Sequence, residues 1–183
     1  KQLSWNYACE GLNKLGLQLN EEKSYILDPR QHGTSFTYLG YTFQIKGKHV
    51  NITISQKKMN VIKSRITKTF VRYSKDHDYD LLKLRIKFLT GNFTLYNPHT
   101  LQPIKVGIYF NYKMATEVSA LKDLDTYYQR LLHCRIGKLG SAISLTKSHV
   151  KELEKYSFYF GYNNHVNHYF TTNQMVKIAE CWR

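Results

Sequence analysis

Phe36-Thr37-Tyr38-Leu39-Gly40-Tyr41-Thr42-Phe43 is the stretch that decides the fold. Its strong alternation and its aromatics read as one strand with Gly40 in the interior. An interior glycine costs strand stability, and is usually kept for a bulge or for the close approach of another backbone. Just upstream, in Leu15-Gly16-Leu17-Gln18-Leu19-Asn20-Glu21-Glu22-Lys23-Ser24, Gly16 ends a helix. Leu17 and Leu19 then point the same way from a short strand, and Asn20 begins a polar turn that carries Lys23. Downstream, residues 36–54 predict a hairpin. Its first arm is Phe36–Ile45, its turn Lys46-Gly47-Lys48-His49, and its return arm Val50-Asn51-Ile52-Thr53-Ile54.

Helical periodicity surrounds this hairpin. Before it, Leu3, Tyr7, Ala8, Leu12 and Leu15 predict a helix over residues 1–15, stopped by Gly16. After it, Ser55 can cap a helix over 55–75. In that helix Met59, Ile62, Ile66, Phe70 and Tyr73 form an apolar stripe. Lys58, Arg65, Lys68, Arg72 and Lys75 form a cationic stripe about a quarter turn away. From Gln44 to Lys75 there are nine Lys or Arg and no Asp or Glu, so the run lacks the interspersed acids of a face that serves solubility alone. Asp76-His77-Asp78-Tyr79-Asp80 then supplies a second helix start. Leu81, Leu82, Leu84, Ile86, Phe88 and Leu89 predict a helix apolar on most sides, ended by Gly91.

Residues 92–116, with Asn97-Pro98 and Gln102-Pro103, read as irregular, and so long a loop is often functional. Asn92, Asn111 and Tyr112 either contact a nucleic acid or cap local backbone. Val118, Leu121, Leu124, Tyr128, Leu131 and Leu132 predict a helix over 117–135, ended by Gly137 and Gly140, with a short helix near 147–156. The aromatic run Tyr156–Tyr162 either fills the core or offers stacking platforms for bases. Thr171-Thr172-Asn173-Gln174 gives a capping box for a last helix that ends at Trp182. His165, His168 and Cys181 lack the paired spacing of zinc ligands, so no metal is assigned to this chain.

The composition narrows the class. Hydrophobic residues make up 42% and aromatics 14%, enough for a core, so the chain is not a disordered tail. Lys+Arg outnumber Asp+Glu 27 to 13, a net charge of +14, which points to a polyanion, with nucleic acid first. Cys9, Cys134 and Cys181 are scattered and odd in number, which fits reduced thiols and a cytoplasmic setting. No signal peptide and no long apolar run is visible, so no membrane is expected.

The Leu-Gly-Leu-Gln-Leu-Asn-Glu-Glu-Lys turn, followed about a dozen residues later by Phe-Thr-Tyr-Leu-Gly-Tyr, resembles the last two palm motifs of reverse transcriptases. The resemblance implies an α+β chain. It would comprise the end of a palm with a primer-grip hairpin (residues 1–54), thumb helices and a connecting loop (55–116), and a helical C-terminal region (117–183). It implies that Tyr38, Leu39, Gly40 and Tyr41 grip the primer, Gly40 giving a sugar-phosphate chain room that a Cβ would obstruct. On the residues alone, Tyr38 and Tyr41 wall a nucleotide or simply fill the core. It makes Lys23 a candidate proton donor to the leaving pyrophosphate, or a charge near it, where the plain reading is a solvated turn lysine. It makes Lys58, Arg65, Lys68, Arg72 and Lys75 the thumb residues that track a template-primer backbone by sequence-blind, salt-sensitive contacts.

The family also needs a Tyr-x-Asp-Asp turn and an earlier Asp that hold Mg²⁺, and no Asp-Asp pair occurs in these 183 residues. The expectation is therefore the C-terminal part of a longer RNA-directed DNA polymerase, with the catalytic carboxylates and Mg²⁺ outside this chain. The alternatives are a non-catalytic RNA-binding module and a structural subunit of a polymerase–RNA complex. The region after the palm, Phe-Leu-Thr-Gly-Asn-Phe-Thr-Leu and Val-Gly-Ile-Tyr-Phe-Asn-Tyr, is similar to prokaryotic antiviral defence-associated reverse transcriptases, the A component of the third described type. That narrower resemblance implies RNA template and DNA primer as partners, together with a noncoding RNA and a partner reverse transcriptase.

Overall fold

The computed structural model describes residues 2–20, 22, 24, 26–28, 33–97 and 99–182. The chain is α+β, with a small sheet and a hairpin among helices. It divides into two compact units, residues 1–36 with 44–50 and residues 37–43 with 51–183.

In the first unit, α1 (Gln2–Lys14) follows the expected periodicity. Leu17 N–H donates to the Leu12 carbonyl (2.9 Å) and Gly16 N–H to that of Asn13 (3.0 Å), with Gly16 at φ 70°. This is the left-handed glycine stop, a conformation that glycine adopts without penalty because it has no Cβ. Leu3, Tyr7 and Leu15 are exposed, and no described residue before Ile54 is buried. So short a unit forms no core of its own. The short strand expected at Leu17 and Leu19 is also absent. Both residues lie in irregular backbone, because no neighbouring strand pairs with them.

β1 (Ser35–Tyr38), β2 (Tyr41–Lys46) and β3 (His49–Ile54) form a three-stranded sheet in that order. The single arm expected from Phe36 to Ile45 is corrected here. The chain reverses at Leu39-Gly40, and Gly40 is a turn residue rather than a strand interior. Leu39 (φ 48°) and Gly40 (φ 88°) are both left-handed, which matches the mirror-image turn that suits the natural twist of paired strands. Gly47 (φ 62°) makes the second turn, where it was expected.

The second unit is built on helices. α2 (Gln56–Asp76) is capped by Ser55, whose hydroxyl accepts the Lys58 N–H, and it stops at left-handed His77 (φ 52°). α3 (Tyr79–Thr90) is capped by Asp78, which accepts the Leu81 N–H at 2.9 Å. α2, α3 and α5 (Ala120–Leu132) meet in one core, in which Ile66, Phe70, Leu82, Leu121, Leu124 and Tyr128 are fully buried. The region read as irregular is in fact ordered: β4 (Asn92–Tyr96) pairs antiparallel with β5 (Pro103–Gly107), from Asn92 opposite Gly107 to Tyr96 opposite Pro103. Pro103 lies at the last pair, where a missing N–H is tolerated. α4 (Ile108–Tyr112) follows.

Gly137 and Gly140 do not end α5. They lie in a further short helix, α6 (Gly137–Ala142), and α5 stops at Leu132. α7 (Lys147–Leu153) and α8 (Phe158–Asn163) complete the main core, and Phe158 and Tyr162 of the aromatic run are buried in it. Asp125 holds the start of α8: its carboxylate accepts the N–H groups of Phe158 (2.6 Å) and Tyr159 (3.2 Å) and the Ser157 hydroxyl (2.7 Å). α9 (Thr172–Ala179) carries the expected capping box between Thr171 and Gln174, and ends in a 3₁₀ turn, Glu180–Trp182. Phe93, Phe170 and Ile178 form a second, smaller cluster, with Phe88 and Trp182 packed on it.

Candidate nucleic-acid interface

The apolar stripe of α2 is buried at every position, Met59, Ile62, Ile66, Phe70 and Tyr73. The helix is thereby fixed in rotation, and its opposite face is presented to solvent. Lys57, Lys58, Arg65, Lys68, Arg72 and Lys75 are all exposed. At 1.5 Å per residue, the stripe from Lys58 to Lys75 is about 25 Å long. Exposed cations in such a row favour a polyanion whose charges repeat along a line.

At the first turn of α2, the cationic stripe meets the β1–β2 turn. Ser55 N–H donates to the Gly40 carbonyl at 3.0 Å. A Cβ on Gly40 would lie 2.8 Å from Cε and 3.1 Å from Cγ of Lys58. The space that glycine leaves open is therefore taken by the Lys58 stem, not by a foreign backbone. Tyr38 (61% exposed) and Leu39 (78% exposed) stand beside it on the turn. Tyr41 is engaged inside the protein: its hydroxyl donates to the Asn111 carbonyl at 2.8 Å, and its ring meets Tyr112 edge-on. Of the four hairpin residues the resemblance singles out, two are open to a partner, one is a conformational necessity and one is a structural tie. Lys23 lies outside the described residues.

Half-way along the helix the stripe meets Trp182. The Arg65 guanidinium lies 5.5 Å from the ring centre, and the indole N–H donates to the Arg65 carbonyl (3.1 Å) and the Thr69 hydroxyl (3.2 Å). Lys68 Nζ donates to the Trp182 carbonyl at 3.4 Å. Lys57, Asn60, Ser64, Arg65, Lys68 and Trp182 thus line an open groove along α2. At the far end Arg72 bonds Asp76 at 2.9 Å, a residue four positions on. An exposed pair of this kind contributes only a few tenths of a kcal/mol and yields readily to a stronger anion.

Burial pushes the Tyr112 phenol above its ordinary range, and the nearby Arg65 guanidinium partly opposes the rise. Burial likewise raises Tyr41. Both phenols are therefore neutral donors at pH 7. Asn92 caps backbone: its side chain donates to the carbonyls of Val166 (3.1 Å) and Gly161 (3.4 Å) and accepts the Tyr109 N–H (2.9 Å). Asn111 and Tyr112 serve through their carbonyls, which accept the hydroxyls of Tyr41 and Tyr162. The His165 ring lies tilted against that of Tyr109 with ring centres 3.8 Å apart.

Three contributors escaped the sequence pattern. Lys57 was passed over although it stands five full turns before Lys75 on the same side of α2, and Trp182 reaches the groove only through the fold of α9. Arg85 is the third. It is buried in α3, and its guanidinium donates to the carbonyls of Lys177 (3.1 Å) and Ile178 (3.4 Å), capping α9 and so seating Trp182. Its signal was a lone cation among Leu82, Ile86 and Leu89 on the apolar side.

Among the described residues, no group of three or more His, Cys, Asp or Glu is placed to hold a metal ion. Among them, no helix is long and apolar enough to cross a membrane. No family model matches the sequence, and no curated protein or solved structure matches it.

Proposed function

We propose that this chain is the primer- and duplex-holding part of a reverse transcriptase, an enzyme that copies RNA into DNA. The observation that carries the reading is the cationic face of α2, which is tied to the exposed Leu39 turn at one end and to Trp182 midway. On this reading Tyr38 and Leu39 meet the primer end, Lys58 stands next to it, and Arg65, Lys68, Arg72 and Lys75 follow the duplex backbone. The exposed apolar stripe of α1 suits a helix that lies on a palm sheet. The chemistry belongs to carboxylates outside this chain, which hold Mg²⁺. The residues here contribute positioning, the larger part of catalysis in phosphoryl-transfer enzymes. Cytoplasmic location rests on the scattered cysteines, and antiviral defence, a noncoding RNA and a partner reverse transcriptase rest on the resemblance.

The test is charge reversal. The triple variant Arg65→Glu, Lys68→Glu, Arg72→Glu is expected to weaken binding to an RNA–DNA template-primer. It should also flatten the plot of log K against log salt by roughly two to three units, one per lost phosphate contact. An unchanged slope overturns the assignment of α2. A non-catalytic RNA-binding module is the second reading, favoured by exposed Tyr96, Phe160 and Tyr169, which offer stacking faces. Tight RNA binding, with no primer extension by the natural protein in Mg²⁺, decides for it.

A further inference from the structure

A second concavity adjoins the groove. It measures about 370 Å³ and lies among α2, α3, the β4–β5 hairpin, α4 and α9. Its walls include Phe88, Phe93, Leu95, Val106 and Met175, and the Phe88 and Phe93 rings are 4.4 Å apart. Its polar lining is Asn111, Tyr112 and Arg65. Arg65 is the residue common to this cavity and to the groove that holds Lys57 and Lys68. An apolar slot of this volume with a few convergent polar groups is the usual form of a small-molecule site. Here it opens beside a row of cations suited to phosphates.

We propose that this cavity takes one unpaired nucleobase of a single-stranded nucleic acid, while Arg65 holds the adjoining phosphate. The inference rests on the reading of the α2 groove as a nucleic-acid track, and extends it from backbone to base. Unpaired bases splay out, pack against aromatic side chains and hydrogen-bond along their edges. Phe88 and Phe93 supply the apolar contact, and the Asn111 side-chain amide supplies both a donor and an acceptor. A lipid tail would satisfy the walls and Arg65, but would leave the polar groups and the row of lysines without a role. A strand that leaves its base in the cavity and its phosphates along Lys57, Arg65 and Lys68 uses every one of these features.

The experiment compares two ligands on the full chain, by titration calorimetry at one low salt concentration. One is a six-nucleotide single strand, made as RNA and as DNA. The other is an abasic chain with the same number of phosphates. The base-bearing strand is expected to bind roughly 5- to 100-fold tighter. Val106→Trp, which fills the cavity, should remove that margin and leave abasic binding unchanged. Equal affinity of the two ligands for the unaltered protein overturns the cavity proposal and leaves the groove standing. Failure of both to bind overturns the groove as well. A preference for RNA or for DNA keeps the proposal and names the strand. A second readout needs no variant: photocrosslinking with a 5-iodouracil strand should mark Phe88, Phe93 or Met175. Marks confined to Tyr96, Phe160 and Tyr169 place the bases elsewhere and overturn it, as does tight binding of octanoate alone.

Discussion

Helices α1 and α2 carry the same kind of pattern and meet opposite fates. α1 places Leu3 and Tyr7 at helical spacing, with Leu15 just beyond its end, and leaves them 87%, 80% and 74% exposed. α2 places five apolar residues at the same spacing and buries every one against α3 and α5. Each helix ends on a left-handed residue, Gly16 after α1 and His77 after α2. The difference lies outside the helices themselves. Periodicity and end residues specify a helix. Burial depends on whether other elements bring a complementary face, and only the second unit has them. A rotationally fixed α2 can present charge in a defined direction. α1, as it stands, offers a surface without an occupant.

The sharpest way to break this comparison is to empty α2's anchor. Phe70 is fully buried beside Tyr128, so Phe70→Ala should cost about 3–5 kcal/mol. Chemical denaturation would read this. A loss under 1 kcal/mol would mean that α2 is not held as described. Next comes Arg85→Met, which keeps volume but leaves the α9 carbonyls uncapped. Its expected cost is about 1–3 kcal/mol. It should also weaken binding at the groove, because Trp182 loses its seat. A stability loss with the groove unaffected would separate α9 from the interface.

Ser55→Ala removes the α2 cap and should cost about 1 kcal/mol. The same measurement on Leu3→Ala should show less than about 0.5 kcal/mol, since an exposed leucine has little packing to lose. If Leu3→Ala matched Ser55→Ala, α1 would have a partner surface in solution. The smallest effect concerns pH. Burial, and then the charge of Lys87, hold His168 below the ordinary imidazole range. The unfolded chain therefore binds the proton more readily, so stability is full above about pH 6.5 and declines as pH falls below it. His168→Gln should remove that decline. A slope unchanged by the substitution would assign it to another group.

Much of the second unit was legible because its signals are local. Ser55, Asp78 and the Thr171–Gln174 pair each cap the helix they precede. The stripe of α2 and the leucines of α5 repeat at the period of the helix. What was not legible depends on contacts distant in sequence. The β1–β2 reversal rests on Leu39 at positive φ, which no turn preference announces. Strand alternation continues across a two-residue turn as if nothing had happened. The β4–β5 hairpin was masked by its prolines. The groove and the cavity join residues of α2 to others more than 100 positions away, a distance over which periodicity is silent.

The seating of Trp182 makes the molecule its own reporter. The chain has two tryptophans, Trp5 in α1 and Trp182 against Arg65. Their emission therefore divides between the two units. With Trp5→Phe, all indole light comes from a ring whose N–H is bonded within α2 and whose face meets a guanidinium. A strand that draws Arg65 away from that ring changes its colour and its quenching at once. Occupancy of the groove can then be followed optically, without a label on either partner.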